Sequence, residues 1–112
     1  MPIGISDFNI LKQEVDSDIK NNFDESKHQH LKSAIPDIKE KVITFGRQPR
    51  LHNEYTKIEK MRGYAIYRKW VGSSLARFFF AIKGEEMTLI AVLPKDDDTY
   101  KFADYHNRVY DL

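Results

Sequence analysis

Residues 61–95 have the sequence MRGYAIYRKWVGSSLARFFFAIKGEEMTLIAVLPK, which carries the clearest structural pattern in the chain. β-Branched and aromatic residues are concentrated in three segments, at about Tyr64–Val71, Leu75–Lys83 and Met87–Leu93. Two triplets that begin with glycine, Gly-Ser-Ser and Gly-Glu-Glu, separate these segments as hairpin turns do. The pattern predicts an antiparallel meander of three strands. The third segment is nearly all apolar, which is typical of a strand that is central or covered on both faces.

The first 45 residues predict a helical hairpin with one apolar face. In residues 6–23 the apolar positions follow a 3.6-residue period, and Ser6 is the expected N-cap. A second helix is expected to begin near Asp24. Pro36 either kinks this helix or breaks it, with Ser33 as the cap of a new segment. The two apolar stripes consist of Phe8, Leu11, Val15 and Ile19, and of Leu31, Ile35, Ile38 and Val42.

The 112 residues predict one α+β domain. The helical hairpin (1–45) packs on one face of the β-meander (62–95), and residues 44–61 are mostly loop. The tail (96–112) is too aromatic for a disordered segment and can include a short helix. Phe78 and Phe80 are expected on one face of the second strand and Phe79 on the other, chiefly in the core.

Composition excludes several classes of site. The chain has no cysteine, which excludes disulfides, thiolate catalysis and cysteine-ligated zinc. The four histidines show no metal-binding spacing such as HExxH, so we expect neither a metal nor another cofactor. The chain has no run of about 20 apolar residues, so no membrane span is expected. The first residues lack a signal pattern, so a cytoplasmic location is expected.

Charge is distributed unevenly along the chain. The net charge is only +1, but residues 41–80 hold nine Lys/Arg and two Asp/Glu. The flanking segments, 1–40 and 81–112, each carry a net charge of −3. A basic block of this kind is what contact with nucleic acid requires. It is equally compatible with a solvated face of a sheet, because arginines on short strands also pack against aromatic neighbours.

The order of these features carries a family resemblance. Two helices precede a strand that begins Gly63-Tyr64 and carries Arg68. Arg77 precedes the aromatic run of the next strand, and Lys95 follows the apolar third strand. In this order the chain resembles the RelE/ParE superfamily of toxin–antitoxin toxins, most specifically over residues 63–100. Many RelE-like members are ribosome-dependent mRNA endonucleases, whereas the ParE branch poisons DNA gyrase. A partner antitoxin neutralises them.

The resemblance implies catalytic positions. Arg77 occupies the place of the arginine that contacts the scissile phosphate, Lys95 that of the basic residue after the next strand, and Tyr100 lies close to the C-terminal tyrosine. Metal-independent RNA cleavage also needs further cations and proton transfer. Arg68 is a second cation. Proton transfer is expected from Tyr100, Tyr105 or His106, of which His106 has the side chain whose ordinary pKa best suits that task. RNA-backbone contacts are expected from Arg47, Arg50, Lys57, Arg62 and Lys69.

Three functions remain open at this point. The favoured one is the toxin of a toxin–antitoxin pair, a metal-independent mRNA endoribonuclease that acts on the ribosome and is held inactive by a cognate antitoxin. The second is a non-catalytic ParE-like toxin with a protein target such as gyrase. It is favoured by Ala65 and Tyr67, which stand where the RelE first strand has lysines. The third is an unrelated small binding or immunity-type protein.

Overall fold

The computed structural model describes residues 5–43, 55–72, 76–94 and 102–112, with backbone alone at 102–104. Its elements follow one another in the order β1, α1, α2, β2, β3, β4, β5 and α3. Their bounds are β1 Asp7–Ile10, α1 Lys12–Asn22, α2 Glu25–Ile43, β2 Tyr55–Met61, β3 Tyr64–Val71, β4 Ala76–Lys83, β5 Glu86–Pro94 and α3 Phe102–Tyr110.

The strands form one sheet in the order β1-β5-β4-β3-β2. β5, β4, β3 and β2 pair antiparallel, and β1 pairs with β5 in parallel. The predicted three-stranded meander is therefore confirmed as β3–β5, and so is the α+β class. Arg68 lies opposite Phe79, and Trp70 lies opposite Arg77. The two arginines are thus diagonal neighbours on one face of the sheet, as expected.

Side chains on both faces of the sheet are buried. One face, called here the helix face, packs against α1 and α2, which confirms the predicted position of both helices. Its core is formed by Phe8, Val15, Ile19, Leu31, Ile38, Val42, Tyr67, Phe78, Phe80, Ile82, Met87, Leu89 and Val92, among others. The opposite face, called the α3 face, has a smaller core of Ile66, Phe79, Ala81, Ile90, Ala91, Tyr105 and Val109. The predicted division of the three phenylalanines is confirmed.

The apolar third segment is doubly covered, as predicted. Its residues from Met87 to Val92 are buried on β5, which lies between β1 and β4. Pairing of β4 with β5 shifts register at Phe79/Phe80, and this leaves Ile90 without a direct partner. A bulge of this kind resets the alternation of side chains. Leu89 and Val92 therefore share the helix face, and Ile90 and Ala91 share the α3 face.

The predicted helix from Ser6 is wrong in its first turn. Residues 7–10 form β1, and the helix begins at Lys12 without a side-chain cap. Parallel pairing explains the difference: Ser6 N–H donates to Glu85 O at 3.0 Å, and Leu11 N–H donates to Leu89 O at 3.0 Å. Phe8 reaches the same core as Val15, but from a strand. The apolar spacing alone could not separate these two geometries.

The predicted loop at 44–61 is wrong at residues 55–61, which form β2, while residues 44–54 lie outside the described residues. Three charged side chains and a register shift between Lys57 and Glu59 hide the alternation that indicates a strand. α2 runs through Pro36 as one helix, so no new segment begins at Ser33. The Ser33 hydroxyl donates instead to His30 O at 2.9 Å. In the described part of the chain, no helix is both long and apolar enough to cross a membrane.

Candidate active site

The aromatic tail forms α3, which packs on the α3 face of the sheet. Tyr105 and Val109 lie one helical turn apart and are both buried, whereas Asn107 is exposed. The Tyr105 ring stacks on Phe79 with a centroid distance of 5.3 Å and an interplanar angle of 17°. The expected short helix in the tail is confirmed as α3, while residues 96–101 lie outside the described residues. The helix brings His106 to Glu59 of the sheet.

A bidentate ion pair fixes α3 to α1. Arg108 Nη1 lies 2.7 Å from Asp18 Oδ2, and Nη2 lies 2.9 Å from Oδ1. Asp18 Oδ2 also accepts the Val92 N–H at 2.9 Å, and Arg108 Nη1 also donates to Ile90 O at 2.8 Å. β1 ends opposite Leu89, so these two side chains satisfy backbone groups of β5 beyond that end. The pair therefore positions α3 and also satisfies the hydrogen bonds of Ile90 O and Val92 N–H at the edge of β5.

The centre of the site is a carboxylate that two α3 side chains approach. Glu59 of β2 accepts a hydrogen bond from the Tyr105 hydroxyl. His106 Nε2 lies 3.0 Å from Glu59 Oε2 and 3.2 Å from Oε1. The side chains of His106 and Glu59 retain 32% and 28% of their exposure. This Glu59 cluster, consisting of Glu59, Tyr105 and His106, is therefore held in place yet open to solvent.

Glu59 is a carboxylate at neutral pH. Burial raises the pKa of Glu59, but the hydrogen bonds from Tyr105 and His106 and the charge of His106 act in the opposite direction and leave the pKa below its usual 4.5. A carboxylate beside an imidazole gives the site two groups of the kind that transfer protons in general acid–base catalysis.

Two predicted catalytic cations lie on the same face as the Glu59 cluster. The guanidinium of Arg68 lies over the Trp70 ring, with Cζ 5.3 Å from the ring centroid, and is half-buried. Arg77 is only 4% exposed. Its Nη2 donates to Pro94 O at 2.9 Å, and its Cζ lies 5.9 Å from the Phe79 centroid. Arg68 is therefore the more exposed of the two cations, whereas Arg77 is buried.

The other predicted residues that the structure describes do not lie at this site. Lys57 and Lys69 lie on the helix face, opposite Tyr67 and Tyr55 in the strand register. Arg62 binds the end of α3, since its Nη1 donates to Tyr110 O at 2.6 Å and its guanidinium lies over the Tyr110 ring. Four predicted residues lie outside the described residues, namely Arg47, Arg50, Lys95 and Tyr100.

Sequence reasoning missed Glu59 and Asp18. Glu59 lies in a segment predicted as loop, and its partners on α3 are 46 and 47 residues further along the chain. One signal was present: Glu59 is one of only two acidic residues in the basic block 41–80. A carboxylate in a segment dominated by cations is a reasonable candidate for a paired or functional group.

Comparison with protein-family models, with curated proteins and with solved structures found no match for this chain. The chemistry of the α3 face therefore carries the functional argument, and the RelE/ParE resemblance remains a hypothesis.

Proposed function

We propose that this protein is a metal-independent endoribonuclease, the RelE-like toxin of a toxin–antitoxin pair, and that it cleaves mRNA on the α3 face. The observation that carries the proposal is the meeting of Glu59 with His106 on the face that also holds Arg68 and Arg77. Metal-independent RNA cleavage needs a base, an acid and fixed positive charge, and all three are present there. A cognate antitoxin and the ribosome are its proposed partners.

The chemistry assigns one role to each group. Glu59 accepts the proton of the RNA 2′-hydroxyl, whose oxygen then forms a bond to phosphorus. The bond from phosphorus to the 5′-oxygen breaks, and protonated His106 gives its proton to that oxygen. Arg68 stabilises the charge that develops on the phosphoryl oxygens. The products are a 2′,3′-cyclic phosphate and a 5′-hydroxyl, so no metal or external oxidant is required.

Neighbouring side chains support these roles. Trp70 lies beside Arg68 and offers an aromatic surface on which an RNA base can stack. Tyr105 orients Glu59 through its hydroxyl while its ring packs on Phe79. The guanidinium of Arg77 also lies near the Phe79 ring. Tyr105 and Arg77 therefore act as positioning residues in the proposed mechanism.

A second function, a non-catalytic ParE-like toxin with a protein target, is favoured by one observation. Arg77 is 4% exposed, whereas direct contact with a scissile phosphate needs an exposed guanidinium. In this alternative the Glu59 cluster only fixes α3 on the sheet.

Two assays on the purified protein distinguish the functions. If the protein is a ribonuclease, it should cleave mRNA in the presence of ribosomes and a chelator, and it should not change DNA supercoiling by gyrase. If the protein is a ParE-like toxin, it should inhibit supercoiling by gyrase and should not cleave mRNA. If neither activity appears, and if induced expression of the chain does not arrest growth, the toxin proposal itself is wrong.

A further inference from the structure

A lysine-lined cavity lies on the face of the sheet opposite the proposed active site. It has a volume of about 220 Å³ and is formed by β2, β3, β4 and the turns at one end of the sheet. Lys57, Lys60 and Lys83 line it, and Ala65 and Ile82 contribute to its apolar floor. None of the described residues that line the cavity is acidic. The described lining therefore includes three lysines and no carboxylate.

The bulge in β2 explains how two of these lysines come together. Residues three apart on a regular strand point to opposite faces. Because pairing of β2 with β3 shifts between Lys57 and Glu59, Lys57 lies opposite Tyr67 while Lys60 lies opposite Ala65. Both lysines consequently face the helix side of the sheet. The same bulge directs Glu59 to the α3 face, where it lies opposite Ile66.

The third lysine comes from the end of β4. The Lys83 ammonium lies 5.2 Å from the Tyr64 ring centroid, which holds it near the turn between β2 and β3. Gly63 and Gly84 occupy the two turns with φ angles of +82° and +60°, and neither carries a side chain that would fill the opening. Glu86 pairs with Lys83 in the strand register but does not line the cavity.

We propose that this cavity binds phosphate groups. The three lysines that border the cavity make the potential there positive, and a multiply charged anion with several acceptor oxygens complements that potential. The volume is below the range of about 300–1,000 Å³ that holds drug-sized ligands, which favours a phosphate or diphosphate over a whole nucleotide. The phosphate can come from a free anion or from RNA that passes around the edge strand β2.

The test is calorimetric titration of the full chain with inorganic pyrophosphate at low ionic strength. Replacement of Lys57, Lys60 and Lys83 by Gln is expected to weaken binding by about tenfold, because three positive charges beside the anion are removed. The control replaces Lys20, Lys32 and Lys39, which are exposed on the helices. It removes the same charge and should change binding by less than about twofold.

Two results overturn the proposal: no binding of pyrophosphate by the wild-type chain, or equal losses in both triple variants. If the cavity variant does not fold, amide chemical shifts of the wild-type chain decide the matter. They should move on titration at residues 57–67 and 82–84, and movement confined to the helices contradicts the site. Competition by a single-stranded RNA oligonucleotide identifies RNA as the source, and its absence identifies a free anion. Neither readout depends on RNA cleavage, so failure of the ribonuclease proposal leaves this expectation intact.

Discussion

Asp18 and Arg108 are 90 residues apart in the sequence, yet their side chains form two hydrogen bonds, of 2.7 and 2.9 Å. The Asp18 and Arg108 side chains are 7% and 19% exposed. The pair joins α1, on the helix face, to α3, on the opposite face. Because α3 carries Tyr105 and His106, the geometry of the Glu59 cluster depends on this distant contact.

Loss of the Asp18 charge should be strongly destabilising. Asp18→Asn leaves the Arg108 guanidinium partly buried without its counter-charge, and breaking a buried pair on one side costs about 3–5 kcal/mol. Urea denaturation measures the change in the free energy of unfolding. The control is Asp16→Asn on the exposed side of α1, expected within about 0.5 kcal/mol of the wild type. Similar effects of the two substitutions would contradict the structural role of the pair.

The lowered pKa of Glu59 predicts a component of stability that depends on pH. The folded state binds fewer protons at Glu59 than the unfolded state does, so this component is present above the usual carboxyl pKa of 4.5. It is lost as pH falls through the lower pKa of the folded protein. Glu59→Gln should therefore flatten the dependence of the unfolding free energy on pH below about 5. Glu40→Gln, at an exposed position of α2, is the control.

Tyr105 combines two roles that separate substitutions can distinguish. Tyr105→Ala removes the ring that stacks on Phe79 and should cost about 3–5 kcal/mol of unfolding free energy, as for other buried aromatic residues. Tyr105→Phe keeps the ring and removes the hydroxyl. It should raise the pKa of Glu59, because one of the hydrogen bonds that lower that pKa is lost. NMR titration of the Glu59 carboxyl carbon measures this shift, and an unchanged pKa would show that the hydroxyl does not act on Glu59.

Loss of Arg77 should chiefly lower stability, whereas loss of Arg68 should chiefly lower toxicity. Arg77 is buried and binds Pro94 O, so Arg77→Ala should lower the unfolding free energy by about 1.5–3 kcal/mol, as expected for a lost charged hydrogen bond. Arg68 is half-buried, and Arg68→Ala should chiefly relieve growth arrest on induced expression. Lys12→Ala, at an exposed residue of α1, is the control for lost charge. Full toxicity of a folded Arg68→Ala variant would exclude Arg68 from the site.

The sequence predicted the elements whose evidence is local. β3, β4 and β5 follow from apolar and aromatic runs between glycine turns, and α2 follows from its apolar period. β1 was missed because Phe8 fits a helical stripe as well as a strand. β2 was missed because Lys57 and Glu59 flank a bulge that breaks the alternation of side chains.

The candidate site was predictable only in part for a related reason. The placement of Arg68 and Arg77 on one face follows from hairpin register, which a turn fixes locally. The contacts of Glu59 with Tyr105 and His106, and of Asp18 with Arg108, join segments more than 40 residues apart. Such contacts depend on where α3 crosses the sheet, and no periodicity in the sequence encodes that crossing.

The most direct test of the proposed function is the rate of mRNA cleavage by the wild-type chain and by Glu59→Gln, with ribosomes and a chelator present. The wild type is expected to leave 2′,3′-cyclic phosphate ends, and the variant to be about 10²–10⁴-fold slower, as for loss of a general base. Glu40→Gln should cleave at the wild-type rate. Cleavage at the wild-type rate by folded Glu59→Gln, or no cleavage by the wild type, would contradict the proposal that the Glu59 cluster is a ribonuclease active site.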